Sequence, residues 1–140
     1  MAISDRMKRM HNCVGISFDK GKEFAGKLYI CYQEEGIPFV DVDEFFIIVN
    51  AFLDTIEFPA QKIKYRNFKK TLPTLKIVDI HPDEKLYETE HLLDVCGKDA
   101  YVLMVIGRDN ATWQGMIYNN KEDKEYSFNS ELELLKVLRK

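Results

Sequence analysis

The chain has 140 residues, of which 46% are apolar and 31% charged, and its formal net charge is −3. This length is typical of one domain, and this composition is typical of a globular fold and excludes a disordered chain. The longest apolar stretches, such as 45–49 and 100–106, are much shorter than the roughly 20 residues of a membrane-spanning helix. We therefore predict a single domain over 1–140 that has no membrane partner.

The N-terminus and the cysteines indicate a cytoplasmic protein. The first residues, "MAISDRMKRMHNC", are basic but lead into no apolar core, so no secretory signal is predicted. Cys13, Cys31 and Cys96 are odd in number and far apart in sequence. This pattern favours reduced thiols over a disulfide framework or a zinc site.

The first part of the chain is predicted to contain three strands and a helix. The stretches "CVGISF", "EFAGKLYICY" and "IPFV" are apolar or alternating and rich in strand-forming residues. Asp41 and Glu44 then fit a capping box, in which the first side chain caps a helix and the glutamate reaches back. Behind them Phe45, Phe46, Val49 and Phe52 form an apolar stripe of helical spacing.

Residues 55–98 are predicted to be a connector. "TLKIVDI", 74–80, is a plausible strand, and 82–97 has the pattern of a helix that starts near Pro82 and ends before Gly97. No stretch is rich in Gly and Ser, so a flexible linker between two domains is not expected.

The last part of the chain repeats the order of the first. The stretches "AYVLMVIG", "TWQGMIYN" and "EYSF" resemble strands, and Ser130 with Glu133 fits a second capping box before Leu134, Leu135 and Leu138. Aligned at an offset of 89 residues, the two parts match without a gap. The matched pairs are Phe24/Trp113, Gly26/Gly115, Leu28/Ile117, Tyr29/Tyr118, Phe39/Phe128, Asp41/Ser130, Glu44/Glu133, Phe45/Leu134, Phe46/Leu135 and Val49/Leu138.

These patterns predict an α+β fold. It consists of two pseudo-repeated β-β-β-α units with a mostly antiparallel sheet, joined by a strand-and-helix connector. The first unit covers about 13–54 and the second about 99–140. Because Trp113 falls at the position of Phe24, we expect it to be a core residue. The alternative is a binding platform, since tryptophan is enriched at binding centres.

Two strings resemble known sequences. "NATWQGMIY…YSFNSELELL" is similar to the C-terminal part of small bacterial proteins with a Trp-Gln-Gly strand, Phe-x-Ser and an amphipathic helix. "FLDTIEFPAQKIKYRNFKK" resembles a stretch of related short bacterial proteins. That family has no assigned activity, so the resemblance implies no catalytic residues.

No catalytic or cofactor signature is found. Glu88 and His91 lie three residues apart, but a di-iron site needs two such motifs, and a solvated acidic helix accounts for them equally well. Cys96 and His91 are five residues apart and do not share a helix face, and neither GxGxxG nor GxxxxGK[ST] occurs. We therefore predict a protein without enzymatic activity, cofactor or metal.

The best candidate for binding is a basic run over 62–76, "KIKYRNFKKTLPTLK", which holds six cations and no acid. Without them the chain keeps 14 basic and 23 acidic residues, a formal charge of −9. Aromatic residues interleave with the cations, as in segments that stack bases and neutralise phosphates. A solvated connector or a dock for an acidic protein would have the same composition. The candidate binding residues are Lys64, Tyr65, Arg66, Phe68, Lys69, Lys70 and Trp113.

Three functions follow from these patterns. The first is a non-enzymatic interaction or regulatory module that binds a protein partner or itself, because short hairpins leave sheet edges that favour a homodimer. The second is a nucleic-acid-binding protein that uses the basic run. The third is a small-ligand-binding domain with a pocket between the repeats.

Overall fold

The computed structural model describes residue 7 and residues 12–21, 23–32, 35–56, 88–97, 99–108 and 112–139. Within these ranges six strands form one sheet in the order β3-β2-β1-β4-β5-β6, and all five pairings are antiparallel. The strands are β1 (Val14–Phe18), β2 (Gly26–Ile30), β3 (Ile37–Phe39), β4 (Tyr101–Gly107), β5 (Gln114–Asn119) and β6 (Lys124–Phe128).

The described ranges also contain three helices, α1 (Val42–Ile56), α2 (Thr89–Cys96) and α3 (Glu131–Leu138). The predicted α+β class is therefore confirmed. The predicted strand over 74–80 and the first part of the predicted helix over 82–97 lie outside the described residues. As predicted, α2 ends at Gly97, whose φ of 94° is readily adopted only by glycine.

The side-chain cap predicted for α1 is confirmed, but Glu44 reaches back to the amide before the N-cap residue rather than to the amide of Asp41. The Glu44 amide donates to Asp41 Oδ1 at 2.8 Å, and Glu44 Oε1 accepts from the Val40 amide at 3.0 Å. These two bonds satisfy amides that a helix start would otherwise leave without a partner.

The capping box at α3 has the same geometry. The Glu133 amide donates to Ser130 Oγ at 3.2 Å, and Glu133 Oε1 accepts from the Asn129 amide at 3.1 Å. Each helix therefore begins where its own side chains supply the partners, two residues after a strand ends.

The sheet separates α2 from the other two helices. Because side chains alternate across a strand, Gly15 points to the opposite side from Val14 and Ile16. A Cβ atom on Gly15 would lie 2.7 Å from Cys96 Sγ and 3.2 Å from Leu92 Cβ, so α2 packs closely against β1 on this side. We call this side the Gly15 face and the other the Val14 face.

Aromatic rings fill the Val14 face beneath α1. The ring of Phe45 in α1 lies 5.5 Å from Phe24 and 5.6 Å from Phe39, between centroids. Phe18 of β1 makes edge contacts with the same two rings at 5.1 and 5.9 Å. The Arg139 guanidinium, at the end of α3, lies 5.6 Å from the Phe24 centroid. Edge contacts and the cation over a ring are directional, so they orient both helices on the sheet.

Two glycines allow neighbouring strands to approach closely. A Cβ atom on Gly26 would overlap the Ser17 carbonyl oxygen, and one on Gly115 would overlap the Met104 carbonyl oxygen. In each case the obstacle is backbone, which moves only if the strand moves. The sequence alignment pairs these two glycines, and their structural requirement is the same.

Pro38 occupies the centre of β3, the strand at one end of the sheet order, and pairs with Lys27 of β2. Proline lacks an amide hydrogen, so it is tolerated in a sheet only where that side faces away from a neighbouring strand. Its exposed position agrees with this rule.

We expect Gly26→Ala and Gly115→Ala each to lower the free energy of unfolding by about 1 to 3 kcal/mol, because an added methyl group meets backbone. Chemical denaturation measures the change. Gly107→Ala is the matched control in β4, since its Cβ atom would meet only the flexible end of Gln114 at 3.1 Å. The control should change stability by less than about 1 kcal/mol. Equal effects at all three positions would contradict the close strand approach.

Candidate functional site

Trp113 lies immediately before β5 and is buried, with 2% of its surface exposed. Its Nε1–H donates to Asn50 Oδ1 at 3.0 Å, and its ring meets Phe46 edge to face at 4.9 Å. Asn50 and Phe46 are four residues apart on α1, so both contacts come from one face of that helix. The Trp113 amide donates to Glu131 Oε1 at 3.0 Å, which connects the start of β5 to the first turn of α3.

The prediction that Trp113 is a core residue is therefore confirmed. Its indole joins the sheet to α1 through both its apolar ring and its polar edge, and its backbone joins the sheet to α3. A large aromatic residue held in this way determines where the helices lie. A role for Trp113 in binding stays a prediction.

Polar side chains gather near the C-terminal half of α1. The Arg108 guanidinium, at the end of β4, is 3% exposed, and its Nη1 lies 2.8 Å from Asp54 Oδ1. Asp54 follows Asn50 by one helical turn, so α1 presents an amide and a carboxylate on the same side. Arg108 is buried but the Asp54 side chain is 36% exposed, and a partly exposed ion pair contributes little to stability while it still orients one element against another. Here it fixes α1 against β4.

Asn12 extends this polar region at the start of β1. It is 1% exposed, and its Nδ2 donates to the Val105 carbonyl at 2.6 Å. Its Oδ1 is the one buried side-chain polar atom in the described ranges without a hydrogen-bond partner. A buried acceptor without a hydrogen-bond partner lowers the free energy of unfolding by about 1 to 3 kcal/mol. The arrangement is structural in character and brings no reactive pair together.

Three apolar side chains remain exposed on, or just before, the helices that cover the Val14 face. Val40 is 66% exposed, Leu132 is 65% exposed and Ile47 is 37% exposed. Exposed carboxylates flank them. We call this set the outer helix surface; Val40 lies just before α1, Asp43, Glu44 and Ile47 lie on α1, and Leu132 and Glu133 lie on α3.

The sequence prediction did not include the outer helix surface. A signal for it was present, however. Ile47 lies about half a turn away from the apolar stripe of Phe45 and Val49, and Leu132 is similarly out of phase with Leu134. An apolar residue on the polar side of an amphipathic helix is either tolerated singly or kept for a contact.

The ligand and nucleophile candidates of the sequence, Glu88, His91 and Cys96, lie on or beside α2. Burial raises the pKa of the Cys96 thiol to about 12, so the reactive thiolate is strongly disfavoured at neutral pH. Glu88 and Glu90 are exposed, whereas His91 is half-buried. Among the described residues, no three or more His, Cys, Asp and Glu side chains are placed to hold a metal ion.

The other sequence candidates lie outside the described residues. These are the basic-run residues Lys64, Tyr65, Arg66, Phe68, Lys69 and Lys70. Nucleic-acid binding by the basic run stays a prediction. Within the described ranges, no helix has the length and apolar character needed to cross a membrane.

Replacing Trp113 should separate packing from hydrogen bonding. We expect Trp113→Ala to cost about 3 to 5 kcal/mol of unfolding free energy, the usual range for a core aromatic. Trp113→Phe keeps a ring but loses the bond to Asn50. A double-mutant cycle of Trp113→Phe with Asn50→Ala, measured by chemical denaturation, should give a coupling of about 1 kcal/mol. Additive effects would show that the bond contributes nothing to stability.

Comparison with known proteins supplies no relative. No protein-family model, curated protein or solved structure matches the chain. The resemblance of the Trp-Gln-Gly strand to small bacterial proteins therefore stays a prediction. The candidate surfaces rest on the geometry of this chain alone.

Proposed function

We propose that the protein is a cytoplasmic, non-enzymatic interaction module, built from two related β-β-β-α units, that binds a second copy of itself through the outer helix surface. The observation that carries the proposal is the exposure of Val40, just before α1, and of Leu132 on α3, at 66% and 65%, beside helices whose other sides enter the core. The odd number of cysteines supports a reducing compartment.

The strand pairings support the two related units. The sheet order reads as three strands of the first unit followed by three of the second, with β1 and β4 in the middle. Val14 pairs with Leu103, its own counterpart at the offset of 89 residues. The outer rungs also correspond, since Gly26 pairs with Phe39 and Gly115 with Phe128. A pseudo-twofold axis through the rung of Val14 and Leu103 would produce these pairs.

The helix contacts support the same axis. The offset of 89 residues takes Phe24 to Trp113 and Asn50 to Arg139. Arg139 lies over the Phe24 ring, and Asn50 accepts from the Trp113 indole. The aromatic residue of each unit therefore receives a polar group from the helix of the other unit.

The inner hairpins of the two units differ. Val14 pairs with Ile30 in the first unit, whereas Leu103 pairs with Ile117 in the second, a difference of two residues in register. The correspondence between the units is therefore strongest in the outer strands and the helix starts.

The presence of both an acidic and a basic group of residues in one chain supports a second copy of the protein as the partner. The outer helix surface carries exposed carboxylates from Asp43, Glu44 and Glu133 beside its apolar groups. The basic run over 62–76 carries six cations and two aromatic residues. Each copy carries both the carboxylates and the basic run, so a twofold dimer that paired them would form the contact twice. Self-association would also remove the exposed apolar groups from water.

We expect the wild-type protein to self-associate in a concentration-dependent way in sedimentation velocity at low salt. Val40→Lys together with Leu132→Lys should shift the equilibrium to monomer, because each change puts a cation where an apolar contact is proposed. Higher salt should weaken the wild-type dimer, since the exposed charges are screened.

Val95→Lys is the matched control. Val95 is 41% exposed but lies on α2, on the other side of the sheet. It should leave self-association unchanged. A wild-type protein that stays monomeric, or a control as disruptive as the double variant, would overturn the proposal.

Nucleic-acid binding is the second candidate, because the basic run combines cations with Tyr65 and Phe68 and contains no acid. If it binds single strands, affinity should fall with salt at a log–log slope of about −0.7 per neutralised phosphate. Tyr65→Ala should then cost about 1 to 3 kcal/mol of stacking. Filter binding with a single-stranded oligonucleotide at two salt concentrations measures both.

The control for nucleic-acid binding reverses two lysine charges outside the basic run. Lys69→Glu with Lys70→Glu should flatten the salt slope, whereas Lys121→Glu with Lys124→Glu, at exposed sites of the β5–β6 hairpin, should not. Weak binding that is insensitive to Tyr65 would reject nucleic acid as the ligand and leave the first proposal standing.

A further inference from the structure

The register of β1 and β2 places two cysteines opposite each other. The rungs of this pairing run from Phe18↔Gly26 to Val14↔Ile30. One step beyond Val14 and Ile30, the next rung of the same register joins Cys13 to Cys31. Both cysteines are fully buried.

The distance between the Cα atoms of Cys13 and Cys31 can be inferred from the hydrogen bonding at the other end of the β1–β2 pairing. The Asp19 amide donates to the Ala25 carbonyl at 2.8 Å, which makes this a hydrogen-bonded rung of the same register. Such rungs alternate with non-hydrogen-bonded ones, so the rung of Cys13 and Cys31 belongs to the hydrogen-bonded class. Cα atoms on these rungs lie about 5.5 Å apart, and disulfides most often join Cα atoms about 5.5 to 6 Å apart. The Cβ atoms of such a rung lie up to about 5.5 Å apart, so the link also requires the two strand ends to move about 1 Å closer.

The two thiols lie on one side of the sheet. Directly opposed residues of an antiparallel pair point to the same face, and Cys13 shares the Gly15 face because it is two residues from Gly15. The third cysteine, Cys96, reaches this face from α2, where it packs against Gly15. All three are thiols in the structure.

We propose that Cys13 and Cys31 are a redox modification site, at which the two thiols form a reversible disulfide across the β1–β2 ladder. The oxidant is a low-molecular-weight disulfide such as oxidised glutathione. The thiolate of one cysteine attacks it and releases one small thiol, and the second cysteine attacks the mixed disulfide and releases the other. The protein loses two electrons and two protons, and the small disulfide becomes two thiols.

The position of the rung makes the exchange feasible. It lies at the end of the ladder, beyond the last pair of β1 and β2, and ladder ends open at a lower free energy than ladder centres. Cys96 is a different case. It lies on α2, where it packs against Gly15 over the middle of the sheet, and it has no cysteine opposite it in the ladder.

The test is to titrate the native wild-type protein with mixtures of reduced and oxidised glutathione, trap the thiols with a maleimide and map the peptides by mass spectrometry. Trypsin separates the two cysteines, because Lys20 and Lys27 lie between them. We expect a Cys13–Cys31 link that forms nearly completely under oxidising conditions, with loss of the mass of two hydrogen atoms. The oxidised protein should also melt about 5 °C or more above the reduced protein, since the link closes a loop in the unfolded chain.

Two variants control the experiment. Cys96→Ser should form the same link as the wild type, and Cys31→Ser should form none. The wild-type map does not depend on how well the variants fold. A link that includes Cys96, glutathione adducts without an internal link, or a link that appears only in denaturant would each overturn the proposal.

Discussion

The short pairing of β1 with β4 is the contact on which the rest of the structure depends. Only three rungs join the two strands, from Val14↔Leu103 to Ile16↔Tyr101, and they turn two three-stranded sheets into one. The residues on these rungs are distant in sequence, so their pairing requires closure of a long loop. The burial of apolar side chains offsets the entropy lost in closing this loop, since Val14, Ile16 and Leu103 are almost completely excluded from water. The helices on the Val14 face reinforce the junction, because α1 of the first half holds Trp113 of the second.

The sequence was most informative where structure is local. Caps at Asp41 and Ser130, the strand-forming stretches within the described ranges and the end of α2 before Gly97 depend on neighbouring residues, and these were confirmed. The sheet order and the registers could not be predicted, because alternation along one strand does not say which strand pairs with it. The contact of Arg108 with Asp54 was missed for the same reason, as its members are 54 residues apart.

The candidate site shows a similar division. The burial of Trp113 followed from its match to Phe24, yet its partner Asn50 is a polar residue 63 positions earlier in the chain and left no trace in the pattern. Ile47 and Leu132 were visible as apolar residues out of phase with their helices, but only their exposure makes them candidates for a contact. The sequence therefore indicated the buried Trp113 but not the outer helix surface.

Pro38 affects the tendency of the protein to aggregate through its sheet edge at high concentration. A sheet edge with a complete row of amides and carbonyls can recruit strands from other molecules and start an amyloid-like stack. The proline at the centre of the three-residue strand β3 interrupts that row, and no continuous ladder can grow across it. The fold thus blocks uncontrolled polymerisation at this edge, at the cost of one hydrogen-bond donor.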